Sequence, residues 1–399
     1  MKRGNLLVCL WIGVMLFSMP AATNAENGVT RDEIAVGMST VLVGPALFLG
    51  TSFRLGAITY LNSVNDGGGI HGRKVRLIVY DDGYEPARAV VNANKLIKED
   101  KVFCLLGNVG TPTVVAIRPI LESEKVPLFA PFTGAESIRN PVSRYLLHYR
   151  ASYNQELEEF IKGAVDTLKL ERIAVFYQDD AYGKAVLGAA KLALNKREMY
   201  TVAEGTYVRN FLDVSGALNS IMAAKPDAVV MAGTYSACAK FIINWKRQSI
   251  MRRSTEPDPL FMNVSFVGPD KLQELLGKYG EKSVVTQVVP PFSGAGGDMP
   301  AVNEYLSLLR KYYPLEKPSF VGLEGFLATK VFVEVLRKTG RDLTRERFIQ
   351  TAEGVQGLDI QAGNTIGFSP TNHQGSQVIY PTVIRNGQFQ IIRDWASVQ

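Results

Sequence analysis

The stretch VFCLLGNVGTPTVVAIRPILESEKVPLFAPFTGAESIR, residues 102–139, decides the fold. Its first apolar run, VFCLLG, is typical of a buried strand, and Thr111 with Pro112 then favours a helix capped by Thr111. A second apolar run, VPLFAPF, leads into Thr133 and, three residues later, Glu136, which is the pattern of a capping box. Both helix starts would lie at the carboxyl ends of parallel strands, where exposed amides and helix dipoles favour a carboxylate or phosphate.

Two interpretations of these turns remain open. In the functional one, the amides of Thr111, Thr113 and Val114 point outward and form an anion site together with the turn at Thr133. In the structural one, each threonine only completes its own helix. Two such turns in successive strand–helix units favour the functional interpretation.

The same alternation of strands and helices runs through most of the chain. It begins at Glu33 with EIAVGMS and a helix from Thr51, and it continues to VPLFAPF. It restarts after RYLLHYRASY with a second series that ends at SVVTQVVPPF. This rhythm is typical of doubly wound parallel sheets. The sequence therefore predicts an α/β protein with two Rossmann-like lobes and a ligand cleft between them.

The lobe boundaries follow from where the pattern changes. Because 399 residues exceed the roughly 300 that one core usually organises, two domains are expected. Three late helical patterns, from Pro300 to Glu353, lack a full set of strands and are expected to return to the first lobe. The predicted lobe I is 26–149 plus 290–376, and lobe II is 150–289 plus 377–399. Three crossings at 149–153, 288–292 and 375–380 are the predicted hinges.

The first 25 residues predict export to the periplasm. Lys2 and Arg3 precede the apolar run 6–19, and small residues up to Ala25 indicate a signal peptide cleaved after Ala25. Without this segment the chain keeps 42 basic residues, two fewer than the full chain's 44, against 38 acidic ones. No dense basic block remains, which argues against nucleic-acid binding. Cys104 and Cys238 are expected to be separate apolar thiols, although a disulfide stays open.

The usual catalytic motifs are absent or out of context. The sequence GGGIHG at 67–72 satisfies G-x-G-x-x-G, but it precedes a predicted strand instead of following one. The three histidines are scattered, and the acidic pairs at 81–82 and 179–180 are more typical of helix caps or closed turns than of metal ligands or catalytic acids. We therefore expect no enzyme activity, no metal and no cofactor.

Aromatic residues follow the strands of the second series. Tyr182, Tyr235, Ser265 and Phe266 come after predicted strands, and Leu49 lies in the segment after the first strand of the chain. Tyrosines that face the capping threonines across a cleft would suit a small molecule with a carboxylate head and an apolar body. Each tyrosine alone is equally compatible with packing.

An ordered set of motifs extends over essentially the whole chain after residue 25. In order they are GPALFLG, NDGGGIHGRKVRLIVYDDGYEPARA, GNVGTPT, APFTGA, IAVFYQDDAYG and PDAVVMAGTY. In this set the chain resembles the periplasmic substrate-binding proteins of ABC transporters, of the leucine/isoleucine/valine-binding type, with the type I periplasmic-binding fold.

The resemblance implies which residues form the ligand site, and at one of these positions the sequence differs from the family. The residue that grips the ligand carboxylate corresponds to Thr111, and the next turn falls on Phe132, Thr133 and Gly134, with the hydroxyl shifted by one residue. The cleft aromatics correspond to Tyr182 and Tyr235, and the large residue of the first loop to Leu49. The acidic partner of an amino-acid ammonium aligns near Ser265, which carries no charge.

The expected function is therefore that of an exported, monomeric receptor that closes around a small carboxylate and delivers it to an ABC permease. The ligand is a branched-chain or other amino acid, or an aromatic or 2-oxo acid; the uncharged Ser265 favours an acid without the amine. The alternative is a ligand-sensing module of a receptor kinase or chemoreceptor. A secreted hydrolase using Asp179 and Asp180 lacks a paired base.

Overall fold

Two sheets dominate the computed structural model, which describes residues 26–398 apart from 254 and 293. The predicted signal peptide lies outside the described residues. The first sheet has the order β2-β1-β3-β4-β5 and is parallel throughout. Its strands are β1 (Glu33–Thr40), β2 (Lys74–Asp81), β3 (Cys104–Leu106), β4 (Leu128–Phe129) and β5 (Leu146–Leu147).

The second sheet has the order β14-β13-β10-β9-β8-β6-β7, with β13 antiparallel to both of its neighbours. Its strands are β6 (Ile173–Gln178), β7 (Ala203–Tyr207), β8 (Ala228–Ala232), β9 (Leu260–Asn263), β10 (Val284–Gln287), β13 (Tyr380–Arg385) and β14 (Gln388–Ile391). A separate small pair consists of β11 (Leu358–Asp359) and β12 (Thr365–Ile366). The predicted α/β class with two doubly wound sheets is confirmed. Below, lobe I and lobe II denote the first and second sheets with the helices packed on them.

The helices connect the strands and cover the sheets. They are α1 (Leu47–Asp66), α2 (Pro86–Asn94), α3 (Thr111–Ser123), α4 (Tyr153–Ile161), α5 (Ala181–Asn195), α6 (Ser215–Ala223), α7 (Tyr235–Met251), α8 (Pro269–Leu276), α9 (Pro300–Tyr312), α10 (Phe320–Thr339) and α11 (Arg345–Glu353). Helices α2 and α4 continue as π-helical turns over Lys95–Glu99 and Lys162–Thr167.

The late helices pack on lobe I through a close crossing of α10 with α1. A Cβ on Gly56 would lie 1.8 Å from the Gly322 carbonyl oxygen, so the two backbones touch where both residues are glycine. Next to this point, the rings of Tyr60 and Phe326 meet edge to face at 5.0 Å. The helices that follow the second series of strands therefore bury their apolar faces against the first. The exact lobe boundaries given above stay a prediction.

Two of the chain crossings between the sheets lie side by side. His148 pairs with Gln374 in a parallel bridge, and the Ser376 amide donates to the Tyr149 carbonyl at 2.8 Å. The crossing at 148–153 leads directly into α4, where Ser152 and Gln155 form a capping box. The first residues of α4 are thus held at the junction of the two lobes.

Several helix starts differ from the sequence-based expectations. Helix α1 begins at Leu47 and not at Thr51, because no capping side chain marks its start; this places Leu49 inside a helix and not in a loop. Helix α3 begins at Thr111 with Gly110 as its cap, at φ 97°, so the prediction of Thr111 as cap was wrong. Helix α8 was not predicted, although Pro269 at its first position is typical of a helix start.

Candidate functional site

Two threonine hydroxyls meet at the carboxyl ends of β3 and β4. The strand pairing extends past both strands, because Val109 bridges to Phe132 and the Phe132 amide donates to the Asn108 carbonyl at 2.8 Å. This register brings Thr111 and Thr133 side by side, with 2.7 Å between their Oγ1 atoms, and both residues are fully buried. The structure therefore brings together the two threonines that the sequence singled out.

The capping box predicted at Thr133 was wrong. Only a short 3-10 turn, Glu136–Ile138, follows, with Ala135 as its cap. The Thr133 hydroxyl instead accepts a hydrogen bond from the Ala135 amide at 3.2 Å, in a tight local turn. A T-x-x-E pattern next to an apolar strand can thus close a loop without starting an α-helix.

Thr113 contributes little beyond its backbone amide. Its hydroxyl donates to the Gly110 carbonyl at 2.8 Å and also contacts the Val109 carbonyl. The hydroxyl is thus engaged with its own turn. The expectation of a free Val114 amide was wrong, because that amide donates to the Gly110 carbonyl at 3.1 Å as the first bond of the helix; only the amides of Thr111 and Thr113 remain suited to an anion.

Tyr153, the first residue of α4, lies directly against this site, and the sequence analysis did not single it out. Its amide donates to the Gly134 carbonyl at 2.7 Å, and its ring lies 5.6 Å from that of Tyr182. Its buried hydroxyl has no hydrogen-bond partner among the described residues. Burial raises the pKa of Tyr153 to about 12, although the Arg150 guanidinium acts against this rise.

Aromatic rings from both lobes face one another beside the threonines. Phe132 of lobe I lies 5.2 Å from Phe266 of lobe II, with 33° between the ring planes. The centre of the Phe266 ring is in turn 4.5 Å from that of Tyr182 and 6.2 Å from that of Tyr84. The two lobes are therefore in direct contact through an aromatic layer in which all four side chains are fully buried.

Tyr182, Tyr235 and Leu49 make further contacts around this layer. The Tyr182 hydroxyl donates to the Gly233 carbonyl at 3.3 Å. The Tyr235 hydroxyl accepts from the Phe48 amide of α1 at 3.1 Å, which links the lobes. Leu49 lies against Gly268, since a Cβ on that glycine would be 2.8 Å from the leucine side chain.

A buried charged cluster lies behind Phe266, and the sequence analysis did not predict it. Arg150, which is fully buried, lies 3.1 Å from Glu156 and 3.5 Å from Glu324, and its guanidinium carbon is 5.1 Å from the centre of the Phe132 ring. Burial opposes the charge on Arg150, but the two glutamates outweigh it and raise the pKa of the guanidinium. Burial also raises the pKa of Glu324 to about 7, although Arg150 acts against this rise.

Glu156 occupies the neighbourhood in which the family's acidic residue was expected at position 265. Its carboxylate accepts hydrogen bonds from the Ser265 amide at 2.8 Å and the Ser265 hydroxyl at 2.9 Å. It also accepts from the Thr286 hydroxyl and from Arg150. A carboxylate has about four acceptor sites, so this one is saturated by the protein itself.

A second buried arginine braces the loop that carries Thr133. Arg139 donates to the Thr133 carbonyl at 3.0 Å and to the Arg150 carbonyl at 2.9 Å. Burial and the neighbouring Arg150 lower the pKa of Arg139 to about 9, so it stays charged at neutral pH. Two cations and two carboxyl groups are therefore buried within this site.

The sequence pattern at the start of α4 indicates that a buried charged cluster is present. Tyr153, Glu156 and Leu157 lie on one face of a helix, and all are buried. A glutamate on the apolar face of a helix is costly unless it is paired, which indicates a buried cation nearby.

The acidic pairs have local roles, as predicted: Asp180 caps a helix, whereas Asp82 closes a turn before Glu85, the residue that precedes α2. Asp180 caps α5 by accepting from the Tyr182 amide at 2.9 Å. Asp82 accepts from the Ser39 hydroxyl and the Tyr84 amide, both at 2.8 Å. Within the described part of the chain, no group of three or more His, Cys, Asp or Glu side chains is arranged to hold a metal ion.

A polar clasp joins the lobes at the rim of the cleft. It is formed by Gly83 and Glu85 of lobe I with Arg209 and Asn210 of lobe II. Arg209 donates to Glu85 at 2.9 Å and, within its own lobe, to Asp180 at 3.0 Å. Asn210 donates to Glu85 at 2.6 Å and to the Gly83 carbonyl at 3.1 Å. The lobes are thus held together at the rim as well as through the aromatic layer.

Comparisons with known proteins agree with this architecture. The family model described as periplasmic binding protein matches residues 33–388. The chain is 32% identical to a possible leucine/isoleucine/valine-binding protein from Rhodopirellula baltica, whose crystal structure superposes with a TM-score of 0.85 and coverage of 94% of this chain and 99% of that one. Leu/Ile/Val-binding protein homolog 7 of Brucella abortus is 23% identical over 358 residues, which are 86% of either protein.

A shorter match is to Leu/Ile/Val-binding protein BraC3 of Rhizobium johnstonii, 27% identical over 212 residues, which are 53% of this chain and 58% of that protein. The relatives are binding proteins and not enzymes. Across the residues that the structure describes, no helix is both long and apolar enough to span a membrane.

Proposed function

The chain belongs to the periplasmic binding protein family, and from this premise we propose that it is a receptor that captures a small carboxylate by closure of its two lobes and delivers it to an ABC permease. The observation that carries the proposal is the buried pair of hydroxyls of Thr111 and Thr133, at the carboxyl ends of adjacent parallel strands and beside the N terminus of α3. Hydroxyls and helix amides at such a place favour an anion.

The buried charges around the site support an anionic ligand. Arg139 and Arg150 are cationic, whereas the pKa of Glu324 near 7 leaves that carboxyl only partly ionised at neutral pH. A ligand that brings a negative charge into this cluster is therefore stabilised by it.

The same network argues against an α-ammonium group on the ligand. An ammonium buried beside Ser265 would need a carboxylate with free acceptor sites, because an unpaired buried charge costs several kcal/mol. Glu156 already accepts four hydrogen bonds from the protein, and Glu324 faces Arg150 at 3.5 Å with a pKa that burial raises to about 7, which makes it a weaker partner for an ammonium. We therefore propose an acid without the amine, such as an aromatic acid or a branched 2-oxo acid, whose apolar part lies against Phe132 and Phe266.

A binding panel tests this proposal. Leucine, isoleucine, valine and phenylalanine are each paired with the corresponding 2-oxo acid, with benzoate added, and affinities are measured by calorimetry after a thermal-shift screen. We expect tighter binding of the 2-oxo or aromatic acids and a higher Tm, since a ligand that binds only the folded state stabilises it. Small-angle scattering is expected to show a smaller radius of gyration with ligand. Consistent preference for the amino acids would refute the ligand class.

We further propose that the mature protein begins at Glu26 and acts as a monomer with lobe I at 26–149 plus 290–376 and lobe II at 150–289 plus 377–399. The intact mass of the exported protein tests the cleavage site. Deleting the gene should abolish uptake of the acid that the purified protein binds. If uptake persists while a response to the acid is lost, the protein serves a sensor instead of a permease.

A further inference from the structure

We propose that Tyr153 is a specificity-determining residue whose hydroxyl donates a hydrogen bond to the ligand carboxylate beside Thr133; this inference rests on the receptor function proposed above. The hydroxyl is fully buried and has no hydrogen-bond partner among the described residues. Thr111 and Thr133, in contrast, already bond each other. An unpartnered buried donor is destabilising, and a bound acceptor would recover that free energy.

The loop that carries Thr133 has a glycine, Gly134, at the point where the Tyr153 ring packs against it. A Cβ on Gly134 would lie 2.6 Å from the Tyr153 ring and 2.9 Å from its amide nitrogen. The backbone of Gly134 is outside the left-handed region, so its conformation does not require glycine. The missing side chain instead lets the ring pack directly on the backbone beside Thr133.

The position of Tyr153 also couples ligand contact to closure. The residue starts α4, which packs on α5 of lobe II, while its amide bonds to Gly134 of lobe I. Its ring lies against Tyr182 of lobe II. A carboxylate held by this hydroxyl and by Thr133 would therefore touch the junction of the lobes and lobe I at once.

Competing roles for the hydroxyl predict different results. If it only supported packing, it would need a protein partner, and none is in place among the described residues. Removing an unpartnered buried hydroxyl should leave the unliganded protein as stable as before or slightly more stable. Removing a ligand contact should weaken binding, and more for an ion than for a neutral analogue, because charge-assisted hydrogen bonds are about twice as strong as neutral ones.

The test is the Tyr153→Phe variant of the full chain. The probes are 4-methyl-2-oxopentanoate, phenylpyruvate and benzoate, each with its primary amide, measured by calorimetry. We expect the variant to lose about tenfold in affinity for the carboxylates and about threefold or less for the amides, with an unchanged or higher Tm without ligand. Tyr80→Phe is the matched control, because the Tyr80 hydroxyl is bonded to Asp100 at 2.9 Å, on the edge strand β2; it should leave both affinities unchanged.

The outcomes separate this inference from the proposed function. Wild-type protein that binds none of the carboxylates would overturn the carboxylate-receptor function and this inference with it. Wild-type binding with equal affinity in Tyr153→Phe would overturn only the role of Tyr153. Equal losses for acids and amides together with a lower Tm would show a packing role, and would also overturn the inference.

Discussion

Weakening the clasp at the rim of the cleft should lower ligand affinity without touching the ligand site. Glu85 of lobe I accepts from Arg209 at 2.9 Å and from Asn210 at 2.6 Å, both of lobe II. These bonds exist only while the lobes are together. Glu85→Gln removes the charge but keeps the shape, and the Glu85 side chain makes no hydrogen bond to the start of α2, so the helix itself is not disturbed.

The magnitude follows from the exposure of the pair. The Glu85 side chain is 41% exposed and that of Arg209 20%, so solvent screens the interaction to the roughly 0.5–1 kcal/mol typical of such pairs. If closed protein is the form that holds ligand, the same free energy is lost from binding. This corresponds to an affinity about two- to fivefold weaker.

A double-mutant cycle in calorimetry measures this coupling. The variants are Glu85→Gln, Arg209→Gln and the combination, with the tightest-binding acid of the panel as ligand. Lys271→Ala, which removes an ion pair to Glu274 within α8, is the control and should leave affinity unchanged. Scattering should show a more open unliganded ensemble for the clasp variants. Unchanged affinity and unchanged scattering for all three variants would refute the reasoning.

Three further predictions concern the interior. Thr111→Val should weaken carboxylate binding about tenfold in calorimetry, whereas Thr329→Val, which loses only a bond to the Gly325 carbonyl, should not; equal affinities would remove the anion site from Thr111. The pKa of Glu324 is raised from 4.5 to about 7, so its folded form keeps a proton that the unfolded form releases, and stability falls as pH rises through this window. Urea unfolding of Glu324→Gln should therefore show a shallower fall between pH 4.5 and 7, by up to about 1.4 kcal/mol per pH unit, and parallel curves would contradict this. Cys104 and Cys238 are buried free thiols whose pKa burial raises, so a thiol reagent should label both only in denaturant; labelling of the native protein would contradict the burial.

Local patterns were enough to predict the two sheets and the threonine pair. The buried strands β3 and β8 are continuous apolar runs, and such runs between helical patterns indicate parallel sheets. Because the carboxyl ends of neighbouring parallel strands share one edge, the same reasoning placed Thr111 near Thr133. The separate free thiols followed from the same assignment of strands and helices.

Details that depend on distant residues could not be predicted in the same way. The turn after Thr133 carries a capping pattern, yet the Thr133 carbonyl is held by Arg139 and the Gly134 carbonyl by Tyr153, and no α-helix forms there. The start of α1 lacks any capping side chain and was placed four residues too late. The hydrogen bonds of Glu156 to Ser265 join residues 109 apart in the chain, which no local pattern reveals.

The charge beside Ser265 is set by residues that are distant from it in the chain. Ser265 alone suggests that no acidic group is present, yet its amide and hydroxyl both bond a buried carboxylate. A buried ammonium needs a carboxylate oxygen with a free acceptor site. In Glu156, Arg150 and Thr286 donate to the acceptor sites that Ser265 does not occupy. Replacing Arg150 would expose that capacity but leave two buried carboxyl groups without their cation, a change that costs several kcal/mol. Glu156 can therefore accept from a new donor only if one of these protein donors moves, and a substitution at position 265 alone leaves Arg150 and Thr286 bonded to it.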